Sequence, residues 1–474
     1  MIYKLSPDQA WPLHHTAATR AWEQALQASL PPHTLMARAG LGVARLALAI
    51  APHASSIWLA CGPGNNGGDG LEAAAHLQRW GKRCIVTWLG DPTQASADSL
   101  ASLQHAQAAG VCFAAEPPAD FDLCIDALLG LGAAQRPITG RMAQWLGHMS
   151  ASTAPLLAVD LPTGLQADTG ACHDLCVQAR HTLSLLTLKP GLFTAQGRDA
   201  SGTVWFDALS DRLKPAAPPS AWLAGPPPAS PRSHASHKGS FGDVTIVGGA
   251  PGMSGAALLA ASAALHGGAG RVFVACLDDN AMRLDPSQAE LMFRTTPTLD
   301  FASMTVVCGC GGGDAVRSLL PRVLSTSAQL VLDADALNAV AQDTSLQALL
   351  RGRGSKSLPT VLTPHPLEAA RLLNCTTAQV QQDRLLAAQD LAQAFACTVV
   401  LKGSGSVVAA PFELPSINPT GNARLATAGT GDVLAGMLGA RLAAGQSAHP
   451  AACHAVFEHG RLAVQWPLDA VLTA

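Results

Sequence analysis

Asn418-Pro-Thr-Gly-Asn-Ala-Arg-Leu-Ala-Thr-Ala-Gly-Thr-Gly-Asp432 runs directly into a helix-like apolar stretch at residues 433–444. Glycines can adopt backbone conformations closed to other residues, so Gly429 and Gly431 let successive N–H groups converge on an anion. The helix that follows adds the positive end of its dipole at the same point. Asp432 then stands in the first turn beside a bound phosphate, where a carboxylate can take a proton from an attacking hydroxyl. A bare G-x-G-D is as well read as an acidic N-cap after a turn. Fifteen residues dominated by Gly, Asn, Thr and Asp and leading into one helix read instead as a phosphate site.

A parallel α/β sheet is the fold that places such loops beyond strand ends, and the rest of the chain has that pattern. Short apolar runs at 244–247, 272–275, 305–308, 330–332, 360–362 and 398–401 alternate with longer segments of helical period. Before them, runs at 56–61, 84–89, 123–127 and 156–159 do the same, with a helix expected at 71–80. Alternation of this kind predicts parallel sheets covered on both faces, with ligands beyond the carboxyl ends of the strands.

One seam divides the chain. Residues 214–220 and 225–233 hold prolines too densely for a helix or a central strand. The expectation is two domains, 1–213 and 238–474, joined by an extended linker at 214–237 on which Trp222 and Leu223 rest against a neighbouring surface. With 474 residues the chain exceeds one ordinary core. Apolar residues make up 48% and charged ones 13%, which excludes a disordered composition. A net charge of −3 offers no argument for nucleic acid or an anionic membrane. No apolar run reaches about 18 residues, so no membrane span is expected, and Met1–Asp8 has no signal-peptide pattern. The twelve cysteines are scattered. Cys172 and Cys176, near His173 and His181, come nearest to metal-ligand spacing, but no second pair follows, so zinc is not expected there. A reducing cytoplasm fits best.

The first half carries its own loop, Cys61-Gly-Pro-Gly-Asn-Asn-Gly-Gly-Asp-Gly70, after a strand and before a helix. It is neither a dinucleotide fingerprint nor a Walker loop. Asp126 opens Asp-Ala-Leu-Leu-Gly-Leu-Gly-Ala-Ala-Gln-Arg136, Asp160 opens Asp-Leu-Pro-Thr-Gly164, and Lys189 lies in Thr-Leu-Lys-Pro-Gly-Leu192. Each alone reads as a turn cap; oxygens from three strand ends together can hold a monovalent cation or a polar ligand.

These segments together resemble the epimerase domain of NAD(P)H-hydrate repair enzymes. The second half resembles their ADP-dependent dehydratase domain through His237-Lys-Gly-Ser-Phe-Gly242, Val331-Leu-Asp-Ala-Asp-Ala-Leu-Asn338, Leu362-Thr-Pro-His-Pro-Leu-Glu368, Leu401-Lys-Gly-Ser-Gly-Ser406 and the 418–432 stretch. The resemblance implies two three-layer αβα domains, Rossmann-like first and ribokinase-like second. It implies a bifunctional bacterial enzyme: the first domain interconverts the R and S epimers at C6 of hydrated NADH or NADPH. The second dehydrates the S form at the expense of ADP, releasing AMP and phosphate. Asp432 is then the general base, with the Gly429 and Gly431 amides on the transferring phosphate.

The same resemblance places Lys402, Gly403, Ser404, Gly405 and Ser406 around ADP, with Asn422, Ala423, Arg424, Leu425, Ala426, Thr427, Ala428, Gly429, Thr430 and Gly431. Gly311, Gly313, His365, Pro366, Leu367, Glu368, Ala369, Ala370 and Arg371 face the hydrated nucleotide. In the first domain, Asn65, Asn66, Gly67, Gly68, Asp69, Gly130, Leu131, Gly132, Ala133, Ala134, Gln135, Arg136 and Asp160 line the substrate. Asn66, Asp126 and Thr163 match potassium ligands, and Asp160 and Lys189 are the acid–base candidates. Potassium in the first domain and magnesium in the second are the implied ions. A cytoplasmic homo-oligomer with small-molecule substrates, no nucleic acid and no membrane partner is expected.

Three positions depart from the family pattern. Gly309-Cys-Gly-Gly-Gly313 replaces G-P-G-L-G, Ala423-Arg-Leu425 replaces a proline-containing stretch and offers Arg424 as a phosphate contact, and Glu72 stands where an apolar residue is usual. Two other readings stay open: a ribokinase-like vitamin kinase, and a first domain that serves only binding or dimerisation, as in a eukaryotic decapping-enhancer scaffold of the same fold.

Overall fold

In the computed structural model, residues 1–131, 137–172, 175–210, 217–228, 233–281, 283–467 and 469–474 are described. Gly132, Ala133, Ala134, Gln135, Arg136 and His173 therefore lie outside the described residues. The chain separates into two compact units, one of Met1–Ser6 with Trp11–Ala221 and one of Pro7–Ala10 with Trp222–Ala474. Among the described residues, no helix is long and apolar enough to cross a membrane. All twelve cysteines are free.

The first unit is built on a sheet ordered Tyr3–Lys4, Thr203–Asp207, His181–Leu185, Leu156–Val159, Leu123–Ala127, Ser56–Cys61, Arg83–Trp88, Cys112–Ala114. Every neighbouring pair is parallel except the first. Because side chains alternate across a strand, Ile57, Leu59 and Cys61 face one helical layer while Trp58 and Ala60 face the other with Trp145 and Leu146. After Ser56–Cys61 the chain builds outward on one side, then returns to place Leu123–Ala127 on the other. That reversal opens a crevice at the carboxyl ends of these two strands.

Two expectations change here. The Gly-rich segment after Cys61 is not a loop preceding a helix at 71–80; the helix is Asn65–Arg79 and contains it. A Cβ on Gly67 would come 2.0 Å from the Gly62 carbonyl oxygen, and one on Gly70 would come 2.6 Å from Ala127 Cβ. Glycine there lets the helix press onto the sheet, which outweighs its low helix propensity of about 1 kcal/mol per residue. Trp222 and Leu223 likewise do not rest on a surface. They belong to the strand Ala221–Leu223, paired in parallel with Ser416–Ile417. Backbone bonds from Trp222 N to Pro415 O (2.9 Å) and Ala224 N to Ile417 O (2.9 Å) hold it.

The second unit orders Met292–Phe293, Arg271–Cys276, Asp243–Gly248, Thr305–Cys308, Gln329–Leu332, Thr360–Leu362, Thr398–Leu401, Val407–Ala409, Ser416–Ile417. Pairing is parallel through Thr398–Leu401 and antiparallel over the last two steps. Helices Ser254–His266, Thr430–Ala443 and Ala448–Gln465 cover one face with an Ala-rich core. Helix Thr430–Ala443 lies close: a Cβ on Gly436 would meet the Ala260 carbonyl oxygen at 2.0 Å. The strand order reverses beside Asp243–Gly248, and Gly309–Gly313 begins where its neighbour Thr305–Cys308 ends.

Candidate functional site

Three adjacent strands of the second unit each end in a polar residue. Asp333 follows Gln329–Leu332, Thr363 follows Thr360–Leu362, and Lys402 follows Thr398–Leu401. The parallel register brings them together. Lys402 Nζ lies 2.6 Å from Asp333 Oδ1, and Thr363 Oγ1 donates to the same oxygen at 2.7 Å. Burial pulls the Lys402 pKa down, but Asp333 and Glu368 outweigh it and leave the ammonium above its ordinary value. Arg384, fully buried, donates to the Leu401 carbonyl (3.2 Å) and the Lys402 carbonyl (3.1 Å), so the strand end is braced from beneath.

Asp432 comes to this cluster on helix Thr430–Ala443. Gly429 caps that helix with φ 90°, a left-handed conformation that glycine adopts freely. Gly431 is different from expectation: it takes no such conformation and lies inside the first turn. A Cβ there would sit 3.4 Å from Lys402 Nζ and 3.9 Å from Asp333 Oδ2, so the missing side chain leaves the helix end open over the ion pair. Burial first, then the negative charge of Asp333, lifts the Asp432 carboxyl to about 6. The thiol of buried Cys310 hydrogen-bonds the same carboxylate, which holds it back from rising further. Cys310, Asp333 and Asp432 place one ligand-type atom each within 4.8 Å of one another.

The remaining expected residues are held by local hydrogen bonds. His365 caps helix Pro366–Leu373, its ring accepting from Leu367 N (3.1 Å) and Glu368 N (3.4 Å) while the Glu368 carboxylate accepts from the His365 backbone N at 2.8 Å. Arg371 bonds Asn338 Oδ1 at 2.5 Å. Gly313 N donates to Asp335 Oδ2 at 2.8 Å. Arg424 is turned to backbone, donating to the carbonyls of Trp466 (3.3 Å), Pro467 (2.9 Å) and Ala470, and Asn422 holds the Ala463 carbonyl at 3.1 Å. Sequence reasoning missed Asp333, Thr363, Arg384 and His459 as site residues. His459 bonds the Thr430 backbone, and burial drops its pKa to about 4. The signal for Asp333, Thr363 and Lys402 was available: each is the first residue past an apolar strand.

In the first unit the crevice between Ser56–Cys61 and Leu123–Ala127 opens into a cavity of ≈ 320 Å³. Asn65, Asn66, Asp69, Gly130, Leu131 and Asp160 line it, together with the unexpected Arg20 and Glu23. Gly67 and Gly68 do not line it; Gly67 is buried against the Gly62 carbonyl, and Gly68 against Met36 and Ser99 of the neighbouring helices. Lys189, wholly buried, is ion-paired to Asp160 and donates to Leu185 O at 2.7 Å. Asp160 adopts φ 66°, unusual for a residue with a side chain, and accepts from Leu185 N at 3.1 Å. Burial, then the Asp160 charge, raises the Glu23 carboxyl, and burial followed by Asp160 and Glu23 raises Asp69 well above its ordinary value. Several carboxylates crowd this cavity around one lysine.

Behind them Asp126 is fully buried and accepts from Thr163 N (2.8 Å), Thr163 Oγ1 (2.7 Å) and Leu128 N (3.2 Å). Burial raises its carboxyl to about 6 despite these bonds. Asn66 packs against Gly130, and its buried Nδ2 has no partner.

Residues 32–191 match the family described as YjeF-related protein N-terminus, and residues 244–474 match NAD(P)H-hydrate dehydratase. The bifunctional NAD(P)H-hydrate repair enzyme Nnr of Escherichia coli is 35% identical over 454 residues, spanning 91% of this chain and 84% of the relative. The ADP-dependent (S)-NAD(P)H-hydrate dehydratase of Neisseria meningitidis is 44% identical over 239 residues, 49% of this chain and 79% of that one. Among solved structures, the ADP/ATP-dependent NAD(P)H-hydrate dehydratase from Bacillus subtilis matches at 27% identity and TM-score 0.42, covering 50% of this chain and 85% of its own. A relative of two-part architecture aligned along nearly the whole length, with each half matched by its own family, places this chain among the bifunctional NAD(P)H-hydrate repair enzymes.

Proposed function

We propose that the chain repairs hydrated NADH and NADPH in two steps, epimerising C6 in the first unit and dehydrating the S epimer with ADP in the second. The observation that carries the second step is Asp432, opening a helix beside the Lys402–Asp333 pair with a carboxyl poised near 6. The first step rests on the Asp160–Lys189 pair at a cavity on the sheet's switch point.

In the dehydratase reading, Asp432 takes the proton of the C6 hydroxyl as its oxygen bonds the β-phosphorus of ADP. The bond from that phosphorus to the bridging oxygen breaks, and AMP leaves with the electron pair. The Gly429 turn and the helix N-terminus hold the phosphoryl oxygens while charge builds on them. The ring nitrogen's lone pair then expels phosphate from C6, and loss of the C5 proton restores the dihydropyridine. Asp333 would hold a magnesium ion together with phosphate oxygens and water, leaving Asp432 to act as the base. When bound, that ion screens phosphate charge. Residues 402–406 and 422–431 surround ADP in this reading, with Gly311, Gly313 and residues 365–371 toward the hydrated nucleotide.

In the epimerase reading, Asp160 takes the C6 hydroxyl proton as the C6–N1 bond breaks and Lys189 protonates N1; N1 then attacks the other face of the resulting aldehyde as both protons return. Asn66, Asp126 and Thr163 would hold potassium. The fit rests on Asp126, whose buried carboxylate accepts from neutral donors, and on the unpartnered amide of Asn66. A weakly hydrated cation supplies the compensating charge such a carboxylate needs. The protein works as a cytoplasmic homo-oligomer in this proposal; a monomer mass by light scattering would remove the second part.

The test is incubation with mixed epimers and a nucleotide, following the absorbance of recovered NADH. ADP is expected to give the higher kcat/KM and to yield AMP and phosphate; a clear preference for ATP would overturn the assignment of donor. The pH dependence has a definite sign. The base works ionised and its carboxyl is lifted to about 6, so kcat/KM for the S epimer should fall as pH drops through about 6, approaching tenfold per pH unit below it. A profile flat down to pH 5 would remove Asp432 as the base.

A further inference from the structure

Away from both sites, Glu72 carries three imidazoles. It lies on helix Asn65–Arg79 and is almost fully buried, in a space that Gly40 leaves open: a Cβ on Gly40 would come 2.4 Å from Glu72 Cβ. His33 Nε2 stands 3.2 Å and His105 Nδ1 2.9 Å from Glu72 Oε2, while His76 Nε2 is 3.7 Å from Oε1. The ligand atoms of His33, Glu72 and His105 all lie within 4.8 Å of one another. Three separate helices deliver them: His33 at the cap of Thr34–Ile50, Glu72 from Asn65–Arg79, and His105 in the last turn of Ala97–Ala108.

We infer that His33, Glu72 and His105 form a binding site for a divalent transition metal of the zinc type. Bonds of about 2.0–2.2 Å to imidazole nitrogen and carboxylate oxygen put ligand atoms roughly 3.3 Å apart in a tetrahedron, close to the nitrogen–oxygen spacings here. Imidazole with one carboxylate is a donor set for zinc rather than for magnesium or calcium. His105 is half-exposed, which gives an entry path and a fourth position for water. The outer partners have the usual form as well. His33 Nδ1 is buried without a hydrogen bond and lies 4.0 Å from Asp98 Oδ1, a carboxylate able to orient the ring once Nε2 is a ligand. His76 stands behind the other oxygen of Glu72.

The ion would join the helices that wall the first unit's cavity, since Leu35, Asn65, Asp69 and Asp98 all line it. That consequence separates the site from the potassium position, which is built on Asp126 at a strand end.

Tag-free full-length protein, stripped with chelator, should bind one equivalent of zinc by calorimetry and by elemental analysis after dialysis. Zinc at about a hundred times its dissociation constant should raise Tm by roughly 5–10 °C, reversed by EDTA. Glu72→Gln, which keeps size and shape, and the double variant His33→Ala/His105→Ala should each weaken binding about 100-fold or more. Cobalt(II) should give the visible bands of a low-coordinate nitrogen–oxygen site without thiolate charge transfer. Absence of stoichiometric zinc, or equal binding by both variants, overturns the inference. A thiolate band would overturn it too, placing the ion at Cys310 with Asp333 and Asp432.

Discussion

Asp432→Asn is expected to retain its fold and its affinity for ADP while losing about 3–5 kcal/mol of transition-state stabilisation, roughly two to four powers of ten in kcat/KM. Asparagine keeps the side chain's size at the first turn of helix Thr430–Ala443, so the Gly429 cap and the helix dipole are untouched. It cannot take a proton, and it removes the charge that the Cys310 thiol and Lys402 face. The measurement is NADH recovery from the S epimer under saturating ADP, with nucleotide affinity read separately by calorimetry. Turnover near the wild-type value would exclude Asp432 from the chemistry. A parallel loss of ADP binding would make it a ligand contact instead.

A change in the shape of the progress curve is the second large effect. With mixed epimers and ADP, the wild-type protein should consume both forms in one continuous phase. Asp160→Asn should consume the S fraction quickly and then slow to the rate of spontaneous epimerisation. Asparagine is chosen because position 160 has φ 66°, where Asn is better tolerated than most side chains and Ala adds strain. It also keeps an oxygen that the buried Lys189 ammonium can still bond beside the Leu185 carbonyl, which Ala would not. A single fast phase in this variant would move the acid–base work to Lys189 or to Glu23 and Asp69, which share the cavity.

Buried parallel strands were the legible part of this chain, because Val- and Leu-rich runs of three to six residues between longer helical segments have few other readings. The expected runs at 305–308, 360–362 and 398–401 coincide with strands. What was not legible depends on tertiary contacts. Gly67, Gly68 and Gly70 read as loop, since their place in a helix depends on close approach to the Gly62 carbonyl, to Met36 and Ser99, and to Ala127. Ala221–Leu223, Cys112–Ala114 and Ser416–Ile417 are too short to show a period. For the candidate sites, motif residues such as Asp432 and Lys402 stand out in sequence, whereas Asp333 and Thr363 gain meaning from strand order. Glu23 and Arg20 come from a helix far upstream that no local pattern ties to the cavity.

The Lys402–Asp333 contact has a consequence for which small anions the second unit admits. The lysine's charge has a carboxylate partner at 2.6 Å. Orthophosphate arriving from solution therefore meets a lysine already neutralised, and gains only the difference between two pairings of the same ammonium. A nucleoside diphosphate brings a base and a ribose whose contacts add to that small difference. The pair would thus act as a filter at this strand end, drawing the free ion weakly and favouring a phosphate that arrives attached to something larger.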